Sequence, residues 1–226
     1  MSERIKHKSL AEHIVEELEA KIIDETLTPG QRIVEETLCK TFSVSHSPVR
    51  EALQILESRG FVIREPRRGF TVVRITLQEV ENIYRIRAHL EGLAMALAVR
   101  HRTPMFLSKL KRMHEKMILV AEKGKDKIYQ GLNQKFHEMI VSACGNPRLI
   151  QLIRTFDRQT ARYRIAVMIG PGWMENSTRI HGAIITAFET GDADAAERIR
   201  RGVVLNQIKR FSVIFSNEEG KDEDRF

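Results

Sequence analysis

The sequence predicts a mainly α fold: an N-terminal winged helix-turn-helix, with a small β-hairpin as the wing, followed by a C-terminal all-helical antiparallel bundle. Three observations predict it. Residues 9–60 carry three amphipathic helical patterns parted by short turns. Two alternating runs, Phe61-Val62-Ile63-Arg64 and Phe70-Thr71-Val72-Val73, flank Glu65-Pro66-Arg67-Arg68-Gly69 as the arms of a hairpin would. From Thr76 onward only helical patterns occur, broken at Thr103-Pro104, Gly124, Gly145-Asn146-Pro147, Gly170-Pro171-Gly172 and Gly191-Asp192.

Ser9-Leu10-Ala11-Glu12 is a capping box, in which the serine caps the helix and the glutamate reaches back. That helix runs to about Glu25 on an apolar face of Leu10, Ile14, Leu18, Ile22 and Ile23, and Thr28-Pro29-Gly30 ends it. A short helix over 35–41 turns Leu38, Cys39 and Phe42 inward, and Ser43-Val44 makes a tight turn. The helix over 45–60 has a defined start and stop. Ser45 caps it by accepting from free backbone N–H groups, Pro48 fits its first turn, and Gly60 closes it in a left-handed conformation. Val49, Ala52, Leu53, Ile55 and Leu56 line its inner side.

Ser45, His46, Ser47, Arg50 and Gln54 fall at or near the start of this helix, away from the apolar stripe. Short polar groups with one arginine at a helix start suit a DNA major groove. A basic hairpin directly behind such a helix is a wing. Arg67 and Arg68 would meet phosphates or the minor groove, and Gly69 would let backbone approach closely. The bundle helices are expected over 76–101, 104–122, 126–144, 147–169, 173–189 and 192–215. Thr76-Leu77-Gln78-Glu79 supplies a second capping box, and the charged tail 217–226 is expected to be disordered.

Composition narrows the function classes. With 226 residues, 42% of them hydrophobic, the chain is long enough for two modest domains or one large one, each with a core. No apolar run reaches the roughly 18–20 residues of a membrane span, and the N-terminus lacks an apolar signal core, so a cytoplasmic protein is expected. Cys39 and Cys144, far apart in helical patterns, are expected to be small buried hydrophobes in a reducing compartment. The formal charge is +7, yet residues 1–75 hold 12 basic and 12 acidic side chains. Placement matters more than the total: residues 43–74 carry six arginines against three glutamates.

These segments together resemble the N-terminal domain of GntR-family transcriptional regulators. The resemblance rests on Leu27-Thr28-Pro29-Gly30, on Val44-Ser45-His46-Ser47-Pro48-Val49-Arg50-Glu51-Ala52-Leu53, on Leu56-Glu57-Ser58-Arg59-Gly60-Phe61 and on Arg67-Arg68-Gly69-Phe70. The family usually has a DNA-contacting arginine where this chain has His46. The later helices resemble the FCD subfamily through Ile86-Arg87-Ala88-His89-Leu90-Glu91-Gly92, Asn133-Gln134-Lys135-Phe136-His137, Gly145-Asn146-Pro147 and His181-Gly182-Ala183-Ile184-Ile185. That likeness implies a homodimer on a double-stranded DNA operator, with a small organic acid effector and no membrane partner.

His137 and His181 lie on or beside apolar helix faces, and Asn133 stands one turn before His137. Inward polar groups need partners, so Asn133, His137 and His181 are candidate effector contacts. The subfamily resemblance implies a divalent metal (zinc, nickel or manganese) at Asn133, His137, His181 and Val203, where this chain keeps two imidazoles and has lost two ligands. Arg87 either clamps an effector carboxylate or pairs with Glu91 on the surface. Arg154, Arg158 and Arg162 share one helix face, and Trp173 follows a Gly-Pro-Gly hinge where it could cover a cavity mouth.

The reading is a DNA-binding transcriptional regulator, with a winged helix-turn-helix over 1–75 and a helical effector-binding and dimerisation domain over 76–226. The alternative is a helical enzyme or metal-binding domain fused to a DNA-targeting one. No nucleophile with an adjacent base and no phosphate loop supports an enzyme, so no catalytic residue is assigned.

Overall fold

The computed structural model describes residues 9–66, 68–161 and 172–223, with side chains up to Phe211. Nine helices and three strands are present among the described residues. The chain divides into two compact units, 1–76 and 77–226.

The first unit contains α1 (Leu10–Ile23), β1 (Arg32–Ile33), α2 (Glu35–Phe42), α3 (His46–Ser58), β2 (Val62–Glu65) and β3 (Gly69–Val72). The Ser9–Glu12 capping box forms in both directions, through Ser9 N to Glu12 at 2.8 Å and Glu12 N to Ser9 Oγ at 3.1 Å. Ser43 takes the left-handed conformation at φ 55°, which turns the chain sharply between α2 and α3. At the end of α3, Gly60 N bonds Glu57 O and Phe61 N bonds Leu56 O, with Gly60 at φ 76°, a Schellman closure.

Sequence periodicity missed β1. Its two residues pair with Thr71 and Phe70 of β3, which gives a three-stranded antiparallel sheet in the order β1-β3-β2. Two residues are too few to show alternation. Ile14, Leu18, Val49, Leu53, Leu56, Val62 and Val72 close the core of this unit.

The second unit is helical: α4 (Leu77–Arg100), α5 (Pro104–Glu122), α6 (Asp126–Ser142), α7 (Pro147–Gln159), α8 (Trp173–Thr190) and α9 (Ala193–Glu223). Helix α9 packs along α4, where Gly92 brings the backbones close. A Cβ there would stand 3.1 Å from Glu197 Cγ and 3.4 Å from the Glu197 carbonyl. Met95, Met117, Tyr129, Phe136, Ile184 and Phe188 fill the core between α4, α5, α6 and α8.

Two helix ends differ from expectation. Helix α7 stops at Gln159 rather than near 169, and residues 162–171, with Arg162, lie outside the described ones. Thr160 caps α7 and bonds back to Phe156 O while accepting from Arg87, so a tertiary hydrogen bond sets this end. Helix α9 continues to Glu223, so 217–223 of the charged tail are helical rather than disordered, and 224–226 lie outside the described residues. Cys144 is buried, but Cys39 is only half-buried. No helix among the described residues is long and apolar enough to cross a membrane.

Leu53 is fully buried against α1 and the sheet. Leu53→Ala is expected to destabilise the first unit by about 2–5 kcal/mol in chemical denaturation.

Candidate functional site

The helical period of α3 decides which of its side chains can meet a duplex. Val49, Ala52, Leu53 and Leu56 are buried, whereas Ser45, His46, Ser47, Arg50 and Gln54 are exposed. Ser45 stands at the N-cap, but its hydroxyl makes no capping bond, contrary to expectation. The reason is local. The third helical residue is Pro48, which has no N–H for a serine cap to accept.

Arg50 carries a partner that sequence reasoning missed. Its Nε donates to Glu35 Oε2 at 2.8 Å, and His46 Nδ1 lies 3.8 Å from the same oxygen. Glu35 opens α2, so a carboxylate from the neighbouring helix orients the arginine across the turn. At the wing, Glu65 pairs with Gly69 to close the hairpin, and Arg68 N bonds Glu65 O at 3.1 Å. Gly69 has φ +84°, a conformation that a β-carbon disfavours. The Arg68 side chain is exposed, and Arg67 lies outside the described residues.

The second group of candidates lies inside the bundle. Arg87 and Glu91 are both buried, at 3% exposure each, so the expected surface pair is not formed. Arg87 is held entirely by protein groups. It donates from Nε to Glu91 Oε1 at 3.0 Å, from Nη1 to Thr160 Oγ1 at 2.9 Å and from Nη2 to Asp157 Oδ1 at 2.6 Å. Burial opposes its charge, but Glu91 and Asp157 more than offset this and hold its pKa above the usual guanidinium value. These bonds engage all three guanidinium nitrogens of a side chain that is itself buried, so Arg87 serves the fold and presents no open bidentate face to an effector.

Glu91 also accepts from Arg200 of α9, through Nε at 2.7 Å and through Nη2. Burial raises the Glu91 pKa, and the two guanidinium groups outweigh it, so the net shift is downward. Arg200 Nη1 then lies 3.3 Å from His137 Nε2, and His181 Nε2 lies 3.2 Å from that same nitrogen. His137 and His181, 44 residues apart in sequence, therefore meet, with Asn133 buried one turn before His137.

Elementary donor counting fixes the tautomers. A guanidinium only donates, so His137 Nε2 is an acceptor and His181 Nε2 carries the hydrogen. His181 Nδ1 is left as an acceptor, buried and without a hydrogen bond among the described residues. Burial, then Arg200 and His114, push the His181 pKa from its ordinary 6.5 down to about 3, so its ring is neutral near pH 7.

Arg154 is exposed beside Glu138, and Arg158 is half-buried. Trp173 packs edge-on against Tyr129, with centroids 5.2 Å apart.

A divalent metal does not fit these residues. Val203 has no donor atom, Asn133 is neutral, and a guanidinium cation stands against the nitrogen that would ligate. Among the described residues no group of three or more His, Cys, Asp or Glu is placed to hold a metal ion.

A recognition helix presented beside a wing, in one chain with a helical bundle, defines a DNA-binding transcriptional regulator. Residues 10–72 match the family described as bacterial regulatory proteins, gntR family, and residues 82–204 match the FCD domain. The chain is 33% identical over 183 residues to the uncharacterized HTH-type transcriptional regulator YdhC of Bacillus subtilis, covering 80% of this chain and 82% of that one. It is 31% identical over 169 residues to the HTH-type transcriptional regulator McbR of Escherichia coli, covering 75% and 72%. The E. coli McbR/YncC structure shares the fold at TM-score 0.70 and 24% identity, over 94% of this chain and all of that one. The chain belongs to the GntR family of bacterial transcriptional regulators, within its FCD subfamily.

Two outcomes follow from the buried cluster. Glu91→Gln leaves the buried Arg87 and the partly buried Arg200 short of an anion, and is expected to lower the unfolding free energy by about 3–5 kcal/mol. Unfolded His181 binds a proton below pH 6.5 while the folded residue resists it down to about 3. Stability should therefore fall with decreasing pH across that window, by up to about 1.4 kcal/mol per pH unit from this residue. Glu91 adds a loss of the same sign below about pH 4.5. Denaturation midpoints against pH check this, and His181→Gln should flatten the slope between pH 6.5 and 4.5.

Proposed function

We propose that the protein acts in the cytoplasm as a homodimer on a near-palindromic operator, and that a small carboxylate in the bundle sets its DNA affinity. The observation that carries the DNA reading is the exposed polar face of α3, with Arg50 oriented by Glu35 beside the Arg68–Gly69 wing. Ser45, His46, Ser47, Arg50 and Gln54 enter the major groove, and Arg67, Arg68 and Gly69 follow the backbone or minor groove.

The effector reading is supported by buried polar groups within the bundle: Asn133, His137 and His181 beside Arg200. Dimerisation is supported by exposed apolar side chains on adjacent helices, Ile86 and Leu93 on α4 and Leu152 on α7. A second copy would cover them. Effector binding would alter the spacing of two recognition helices, and half-site geometry converts a small displacement into lost affinity.

Selection of duplexes from a random pool tests the DNA reading. An enriched motif with two half-sites is expected, and a pool with no enrichment overturns it. On the selected duplex, Arg50→Ala should weaken binding by about 1–3 kcal/mol in an anisotropy titration. An effector identified by thermal shift should change affinity for that duplex by about 5–150-fold. Constant affinity with a ligand that demonstrably binds would reject the coupling.

A further inference from the structure

Arg200 was not among the residues that sequence reasoning singled out, yet it is where the buried cluster converges. It lies three residues before Val203 on α9, so the two share a helix face. From there its guanidinium reaches the nitrogen at which His137 and His181 meet. Its anionic partner, Glu91, is shared with Arg87, whereas Arg87 has Asp157 in addition. The Nη1 donor is thus spent on a neutral imidazole rather than on a carboxylate. A carboxylate is the stronger acceptor for that donor.

We propose that the Arg200 guanidinium is the resident cation of this bundle, and that an anionic effector group is bound by Arg200 with His137 and His181, without a divalent metal. This rests on the effector reading above. An incoming carboxylate replaces His137 Nε2 as the acceptor of Nη1.

Metal titrations test the cation role without DNA or effector, so they stand or fall separately from the regulator reading. In chelator-stripped protein, nickel alone should show no uptake that depends on His137. Saturable one-to-one uptake that His137→Ala abolishes would overturn the proposal. The variant N133D/R200M/V203H restores a carboxylate and a third imidazole and removes the cation, and should bind nickel. N133D/V203H, which keeps Arg200, should bind about tenfold more weakly or worse. Equal affinity of the two would show that Arg200 excludes nothing.

The anion role is read by melting temperature in chelator with acetate, lactate, gluconate and citrate. At least one should raise the wild-type value by about 2–4 °C. Arg200→Met should lose that shift, and Arg200→Lys, which keeps the charge should the methionine variant fold poorly, should retain part of it. No shift for any of the four, or a shift that survives in Arg200→Met, overturns the assignment.

Discussion

Glu91 is a carboxylate with almost no access to water, and it stands between two guanidinium groups. A buried charge of this kind is tolerable only with close, well-aligned partners. The requirement fixes several helices at once. Arg87 must stay one turn before it on α4, Arg200 must arrive from α9, and Thr160 and Asp157 must take up the remaining donors of Arg87 at the end of α7. The close α4–α9 approach at Gly92, one residue after Glu91, provides the room for this. Apolar packing around Phe136 and Phe188 fills the bundle, while the polar chain sets the register of its helices.

The first unit is organised differently. Its signals are short-range: a capping box at Ser9, a left-handed turn at Ser43 and a Schellman glycine at Gly60. Each could be recognised within a few residues of sequence, which is why α1, α2, α3 and the hairpin were legible. What escaped was contact across the turn. Glu35 and Arg50 are 15 positions apart, and nothing in either local pattern pairs them.

The bundle was legible as helices and less so as a site. The spacing of Asn133 and His137, and the apolar neighbours of His181, correctly suggested inward groups, and the two imidazoles do meet. Arg87 and Glu91 looked like an ordinary surface pair because a four-residue spacing is the same for exposed and buried pairs. Their burial depends on α9, more than a hundred residues later. Arg200 was hidden among Arg198 and Arg201 in a basic stretch. Its one available signal was that it shares a helix face with Val203, the position at which a ligand had been lost. The end of α7 was misplaced for a related reason, since the hydroxyl that caps it answers to an arginine 73 positions earlier.

The wide sequence separation of the Glu91–Arg200 pair also bears on how the chain is made. During synthesis α4 emerges long before α9, so Glu91 and Arg87 must wait for more than a hundred further residues before the second arginine exists. Until then the carboxylate has only its helical neighbour and solvent, and closing the bundle around it would bury an incompletely neutralised group. Closing so long a loop also slows the step that completes the cluster. Helix α9 therefore acts as the latch of the second unit. A chain terminated before Arg200 would carry α4 to α8 without the charge that completes the cluster around Glu91.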